Sequence, residues 1–214
     1  MVVPAVGRVV GVSQRFQLPF RPRLRLFAGA PGHTRARFST PLTAVLTQRP
    51  GEAGIKSVSV TLPSILSAQI PVIEDACSPE EFAGGRCEAA RIGTAVAVTP
   101  LLRDPLRGGV YLVRPAGAHL PDLVVALRGL VSVDLVGKVA IPGGRHLAAT
   151  FSDVPDVPIR RFVLRFHAGP RGVVGLARAL CSPAREAAQA AIRLRSQSSR
   201  LRALGTRMVL WGCP

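Results

Sequence analysis

The sequence predicts an all-β chain: an antiparallel β-sandwich, Ig-like or related, with one or two short helices and a C-terminal hairpin. Three observations predict it. Glycine (21) and proline (19) are dense among the 214 residues, and both break long helices. Short runs of alternating polar and apolar residues recur at roughly the eight-to-twelve-residue spacing of sandwiches and barrels. Turn signals rich in Gly and Pro separate these runs. With 48% hydrophobic and 19% charged residues, the chain can bury a core and is not a disordered polar tail.

Residues 1–17 show no clear periodicity and read as an irregular lead-in to a domain over 18–214, with a candidate boundary near 38–42. Arg23-Leu24-Arg25-Leu26-Phe27 alternates as a half-buried strand should, and Ala28 to Gly32 breaks it. Leu42 to Thr47 is a second strand, Gln48-Arg49-Pro50-Gly51 a turn, and Ile55 to Leu62 a third strand ended by Pro63. Ser64 to Ala76 reads as a short helix or loop. Ser78-Pro79-Glu80-Glu81 is a helix start, with Ser78 as N-cap, Pro79 in the first helical position and Glu81 closing a capping box. Gly84-Gly85 stops that helix.

Strands follow at Arg91–Thr99, Val110–Val113, Asp122–Leu127, Val131–Val136, Lys138–Ile141, His146–Phe151 and Ile159–His167. Near the C-terminus the pattern divides. Ser182 to Ala191 looks helical, with Ser182 as N-cap and alanine throughout. Ile192 to Ser196 and Thr206 to Trp211 instead alternate like strands, and Gln197 to Arg200 can close a hairpin between them.

The formal net charge is +16, from 28 basic against 12 acidic residues, and Lys56 and Lys138 are the only lysines. An arginine-rich polyanion binder has this balance, because arginine pairs bidentately with phosphate. Solvated strand faces give it as well. The arginines are spread along the whole chain, often singly, with no block of five, and one tyrosine and one tryptophan offer little base stacking. Solvated faces are therefore the favoured reading, and nucleic acid is disfavoured without being excluded. No stretch reaches the roughly eighteen apolar residues of a membrane span. The opening MVVPAVGRVVGVSQRF has neither the basic n-region nor the long apolar run of a signal peptide.

Four cysteines fall into two local pairs. Cys77 and Cys87 bracket an excursion containing Gly84-Gly85, and Cys181 and Cys213 bracket the C-terminal hairpin. Two disulfides are expected. Zinc is the rival, but the spacings are unlike the short ones of metal sites, and His33, His119, His146 and His167 cluster with no cysteine. Buried thiols are the remaining alternative. Disulfides imply an oxidising compartment. Without a leader, they point to a fragment or to a start codon placed inside a longer exported chain.

No G-x-S-x-G, P-loop, H-E-x-x-H or G-x-G-x-x-G is present, so no catalytic residue is assigned, and no metal or cofactor. Asp153 and Asp156 invite comparison with paired catalytic carboxylates, but the flanking prolines make them turn residues. Gly108-Gly109 can allow close approach of a ligand, or form a bulge or turn.

Several phrases stand in a fixed order: Val60-Thr61-Leu62-Pro63, Cys77 to Cys87, Thr99-Pro100-Leu101-Leu102, Leu106 to Leu112, Pro121-Asp122-Leu123, Thr150 to Pro158 and Leu180-Cys181. Together they resemble the cysteine-containing β-rich repeat modules of large exported surface proteins of soil actinobacteria, over roughly residues 18–213. The resemblance implies an exported β-sandwich module with no enzymatic residues to carry over. The expected function is a non-enzymatic structural or binding module, extracellular or at the cell surface. Neighbouring repeats of the same chain or a cell-wall polymer are its expected partners. An arginine-rich polyanion binder is the alternative.

Overall fold

The structure is a computed structural model and describes residues 18–144, 146–181 and 188–213. It is nearly all β. The elements in order are β1 (Arg23–Ala28), β2 (Leu42–Thr47), β3 (Ile55–Thr61), β4 (Leu66–Ala68), α1 (Ile70–Glu74), α2 (Pro79–Ala83), β5 (Arg91–Val98), β6 (Leu106–Val113) and β7 (Asp122–Arg128). They continue with β8 (Val133–Ala140), β9 (Ala148–Phe151), β10 (Arg161–Phe166), β11 (Val174–Leu176), β12 (Gln189–Ser196), β13 (Leu201–Arg207) and β14 (Val209–Leu210).

Twelve strands form one sheet in the order β13-β12-β3-β9-β8-β7-β6-β5-β10-β2-β1-β14, and β4 and β11 form a small second sheet. Pairing within the large sheet is antiparallel except for β1 with β14. β13 and β14 lie at opposite edges of the order, yet only Met208 separates them. The two edges must therefore meet, and the layers of the expected sandwich are opposing walls of one wrapped sheet. Alternation cannot tell these arrangements apart, because in both each strand has one face to the core and one to solvent.

Along much of the seam, side chains bridge where backbone pairing does not. Arg200 and Arg202 guanidinium groups donate to the Leu18 and Phe20 carbonyls at 3.0 and 3.4 Å, and Thr206 Oγ1 donates to the Leu24 carbonyl at 3.3 Å. Met208 then turns inward, its N–H donating to the Ala188 carbonyl at 2.9 Å. Beyond it, Phe27 pairs with Val209 and Ala28 with Leu210, and Trp211 N–H donates to the Ala28 carbonyl.

Strand directions sort the loops. Segments 48–54, 99–105, 129–132, 152–160 and 197–200 gather at one end, the open-loop end. Both helices, the β4–β11 sheet and both cysteine pairs lie toward the other. Alternation decides which residues face inward: β1 buries Leu24, Leu26 and Ala28, and β12 buries Ala190, Ile192, Leu194 and Ser196.

Most expected elements are present, with shifted bounds. The strand expected from Val110 begins at Leu106, and the one expected from His146 begins at Ala148. Segment 64–76 divides into β4 and α1, and the final expected strand is divided between β13 and β14 by the inward turn at Met208. Ser78 caps α2 as expected: its Oγ accepts from Glu81 N–H at 3.2 Å, while Glu81 accepts from Ser78 N–H at 2.8 Å. Of the alanine-rich stretch expected to be helical, 189–191 belongs to β12, because its residues alternate between the core and the outside. Ser182 and its neighbours to residue 187 lie outside the described residues.

Candidate functional site: an arginine-bearing wall around an apolar chamber

Cys77 and Cys87 are joined, with Cα atoms 5.7 Å apart, as are Cys181 and Cys213 at 5.4 Å. The first pair pins the α2 excursion onto the outside of the sheet. There Cys77, Cys87, Val113 and Val124 form a small buried cluster, with Phe82 edge-on to Tyr111 at a centroid distance of 5.5 Å. This cover explains why β7 is buried on both faces. The second pair ties the chain after β11 to Cys213, three residues beyond the end of β14. Among the described residues, no group of three His, Cys, Asp or Glu side chains could hold a metal ion.

The outer face of the sheet carries the charge. Arg193 and Arg195 on β12, Arg207 on β13, Arg23 and Arg25 on β1, Arg161 and Arg165 on β10 and Arg107 on β6 are all exposed. Around the seam these strands, with β2 and β5 among them, are consecutive. None contains a carboxylate. Among the described strands the carboxylates are Asp122 on β7 and Asp134 on β8, paired with Lys138 and Arg128 respectively. The register sets the spacing. Arg23 is opposite Thr47, which is opposite Arg161; Arg25, Val45, Val163, Val96, Arg107 and Arg128 form the next rung. At about 4.8 Å between strands, Arg23 and Arg161 stand about 10 Å apart, within reach of neighbouring charges on a flexible chain.

A trough of about 630 Å³ opens in this wall. Its floor is a rung of small residues, Thr94, Gly109 and Ala126 on three consecutive strands. Arg91, Arg107, Arg128 and Arg165 stand around it, with the Tyr111 ring at one end. Arg91 is shared with Glu88 at 3.3 Å and Arg128 with Asp134. Arg107 and Arg165 make no ion pair among the described residues. A floor of small side chains, beside two guanidinium groups with open donors, suits an anionic group.

Inside the sheet lies a chamber of about 450 Å³. Thr99 is the one polar residue lining it, and its hydroxyl already accepts from Leu101 N–H at 3.2 Å. Phe151, Phe162 and Phe166 supply the only aromatic rings of the lining. A chain with 8 Phe, 1 Tyr and 1 Trp has few large rings with which to fill so wide a wrap.

The remaining sequence candidates fall elsewhere. Asp153 and Asp156 are exposed in the 152–160 loop, where Asp156 lies against the backbone of Gly54. Gln197 Nε2 donates to the Val154 and Ile55 carbonyls at 3.0 and 3.3 Å, knitting the same loops together. His33 and His146 each lie within hydrogen-bond distance of a backbone carbonyl, those of Ser39 and Leu62. Gly108 makes its close approach to the Ala126 carbonyl of the neighbouring strand, and Gly109 lies under the Tyr111 ring. Glu80, at the first turn of α2, is held below the usual carboxylate range by its own backbone N–H and then by the Ser78 hydroxyl.

Sequence reasoning missed the one-sidedness of the arginines. The signal was present: no predicted strand other than those containing Asp122 and Asp134 held a carboxylate. Only the strand order shows that the arginine-bearing strands are neighbours.

No family model and no curated protein sequence matches the chain. Among solved structures, the major pilin subunit of Bacillus cereus is similar over 89% of this chain, at 12% identity and a TM-score of 0.37. The chain spans 40% of that protein's length. At this level of similarity, the site is read from the chain's own residues. No helix among the described residues is long and apolar enough to cross a membrane.

Proposed function

We propose that this chain is a non-enzymatic binding module of an exported or cell-surface protein, and that its outer wall holds a flexible phosphate-bearing polymer. The carrying observation is the run of exposed arginines on adjacent strands free of carboxylates, with the trough between Arg107 and Arg165 at one end of that run. Two cysteine pairs support an oxidising compartment, and with it the kinship to exported surface modules expected from the sequence. A wall polymer suits the surface better than nucleic acid, since the two aromatic rings at the trough, Phe82 and Tyr111, already pack edge-on against each other. Neighbouring modules are a second class of partner, favoured by Phe38, Ile70 and Trp211, which are exposed at the helix-bearing end.

The test is a titration of the oxidised full chain with inorganic polyphosphate at stepped salt concentrations. Affinity should fall linearly on a log–log plot. The Arg107→Ala/Arg165→Ala variant should bind at least tenfold more weakly, with a slope shallower by about 1.4 at about 0.7 per phosphate contact on a single strand. The Arg49→Ala/Arg103→Ala control, at the open-loop end, should stay near wild type. Equal losses in the two variants would reduce the wall to unspecific net charge and refute the reading.

A further inference from the structure

The interior chamber is a second site, independent of the arginine wall, and its shape and chemistry specify a class of occupant. It is long: Leu106 and Leu112, at opposite ends of β6, both line it, and six residues of strand span about 20 Å. It is closed at the helix-bearing end, where Ala68, Ile73 and Val174 line it beneath the β4–β11 sheet and α1. At the open-loop end it meets solvent through apolar residues. Leu101 is 66% exposed and Val131 48% exposed, and both line the chamber, while Leu130 beside them is 86% exposed.

The volume falls within the usual range of ligand pockets, about 300–1,000 Å³. Such pockets normally place a few polar groups to orient a ligand, and here the one candidate, Thr99, is already engaged. A polar or charged ligand portion therefore has, among the lining side chains, no more than this one hydroxyl to meet inside. The open-loop end does carry charges of both signs, including Arg103, Asp104, Asp153 and Arg160.

We infer that the chamber binds a single long acyl chain, tail first, with the carboxylate or headgroup left among the loops at the mouth. A narrow, blind, apolar space excludes compact polar molecules and favours an extended hydrocarbon over a short one, because apolar burial grows with the length of chain taken in. The exposed leucines at the entrance are the surface such a chain would meet first.

The inference is tested with cis-parinaric acid, whose emission rises in an apolar site, added to the oxidised full chain. Saturable one-to-one binding is expected. Palmitate and a palmitoyl lysophospholipid should both displace the probe, and displacement by one alone would identify the source of the chain. Octanoate should compete at least tenfold less well. Ala44 sits where three of the buried clusters converge, so Ala44→Phe should obstruct the chamber and weaken binding at least tenfold. Should that variant fail to fold, Leu101→Asp at the exposed mouth should still weaken binding severalfold. Absence of saturable binding, equal competition by octanoate, or unchanged affinity in a folded Ala44→Phe or Leu101→Asp variant would overturn the inference. Polyphosphate binding by the same variants should be unchanged, which separates this test from that of the wall.

Discussion

Removal of the Cys181–Cys213 staple tests how the wrapped sheet is held closed. The bond spans a sequence separation of 32 residues, and the chain-entropy relation assigns such a loop about 3.7 kcal/mol. At about 2–4 °C per kcal/mol for a chain of this size, the Cys181→Ala/Cys213→Ala variant should melt about 7–15 °C lower. Its location adds a spatial signature. Backbone pairing of β14 with β1 covers two residue pairs, and the staple holds Cys213, three residues beyond Leu210. Loss of the bond should therefore release the seam first. In native-state hydrogen exchange, the amide of Trp211, which donates to the Ala28 carbonyl, should lose protection, and those of β6 and β7 should not. The Cys77–Cys87 bond closes a separation of 10 residues, worth about 2.7 kcal/mol by the same relation. Its removal should loosen α2 and leave the seam amides protected. A stability loss below about 1 kcal/mol for the Cys181 pair, or equal seam deprotection in both variants, would refute the reasoning.

Three further outcomes are expected. Gly108→Ala would drive a methyl group into the Ala126 carbonyl on the paired strand, so chemical denaturation should show a loss of at least about 3 kcal/mol, the upper range for overpacking. Ser199, in the β12–β13 turn, has a φ of 63°; Ser199→Gly should relieve left-handed strain and raise stability by about 0.5–1 kcal/mol in the same assay. Because the Glu80 carboxyl is held below its ordinary range in the folded chain, its contribution to α2 is present above the unfolded value and lost as pH falls through the folded one. Amide protection in α2 should decline on acidification through that range, and Glu80→Gln should reduce this dependence, the remainder belonging to the Glu81 carboxylate of the capping box.

Local chemistry made much of this architecture legible. Arg23 to Phe27 and Ile192 to Ser196 alternate because each strand has one wet and one dry face, and Ser78-Pro79-Glu80-Glu81 contains its own capping box. The cysteine pairing followed from each pair closing a single excursion. What stayed hidden depends on neighbours distant in sequence. Residues 189–191 look helical by composition, but pairing with β3 and β13 makes them strand. Arg25 and Arg107 share a rung only because the three strands between them, β2, β10 and β5, drawn from distant parts of the chain, align in register. The chamber is the least legible feature, since its lining reads as ordinary core in every strand taken singly.

The wall is tested most directly by arginine footprinting. The oxidised full chain would be treated with a dicarbonyl reagent with and without saturating polyphosphate, and modification quantified for each arginine by mass spectrometry. Arg23, Arg25, Arg107, Arg161 and Arg165 should become protected on binding, while Arg49 and Arg103 at the open-loop end remain reactive. Uniform protection across all of these arginines, or protection confined to Arg49 and Arg103, would contradict the account.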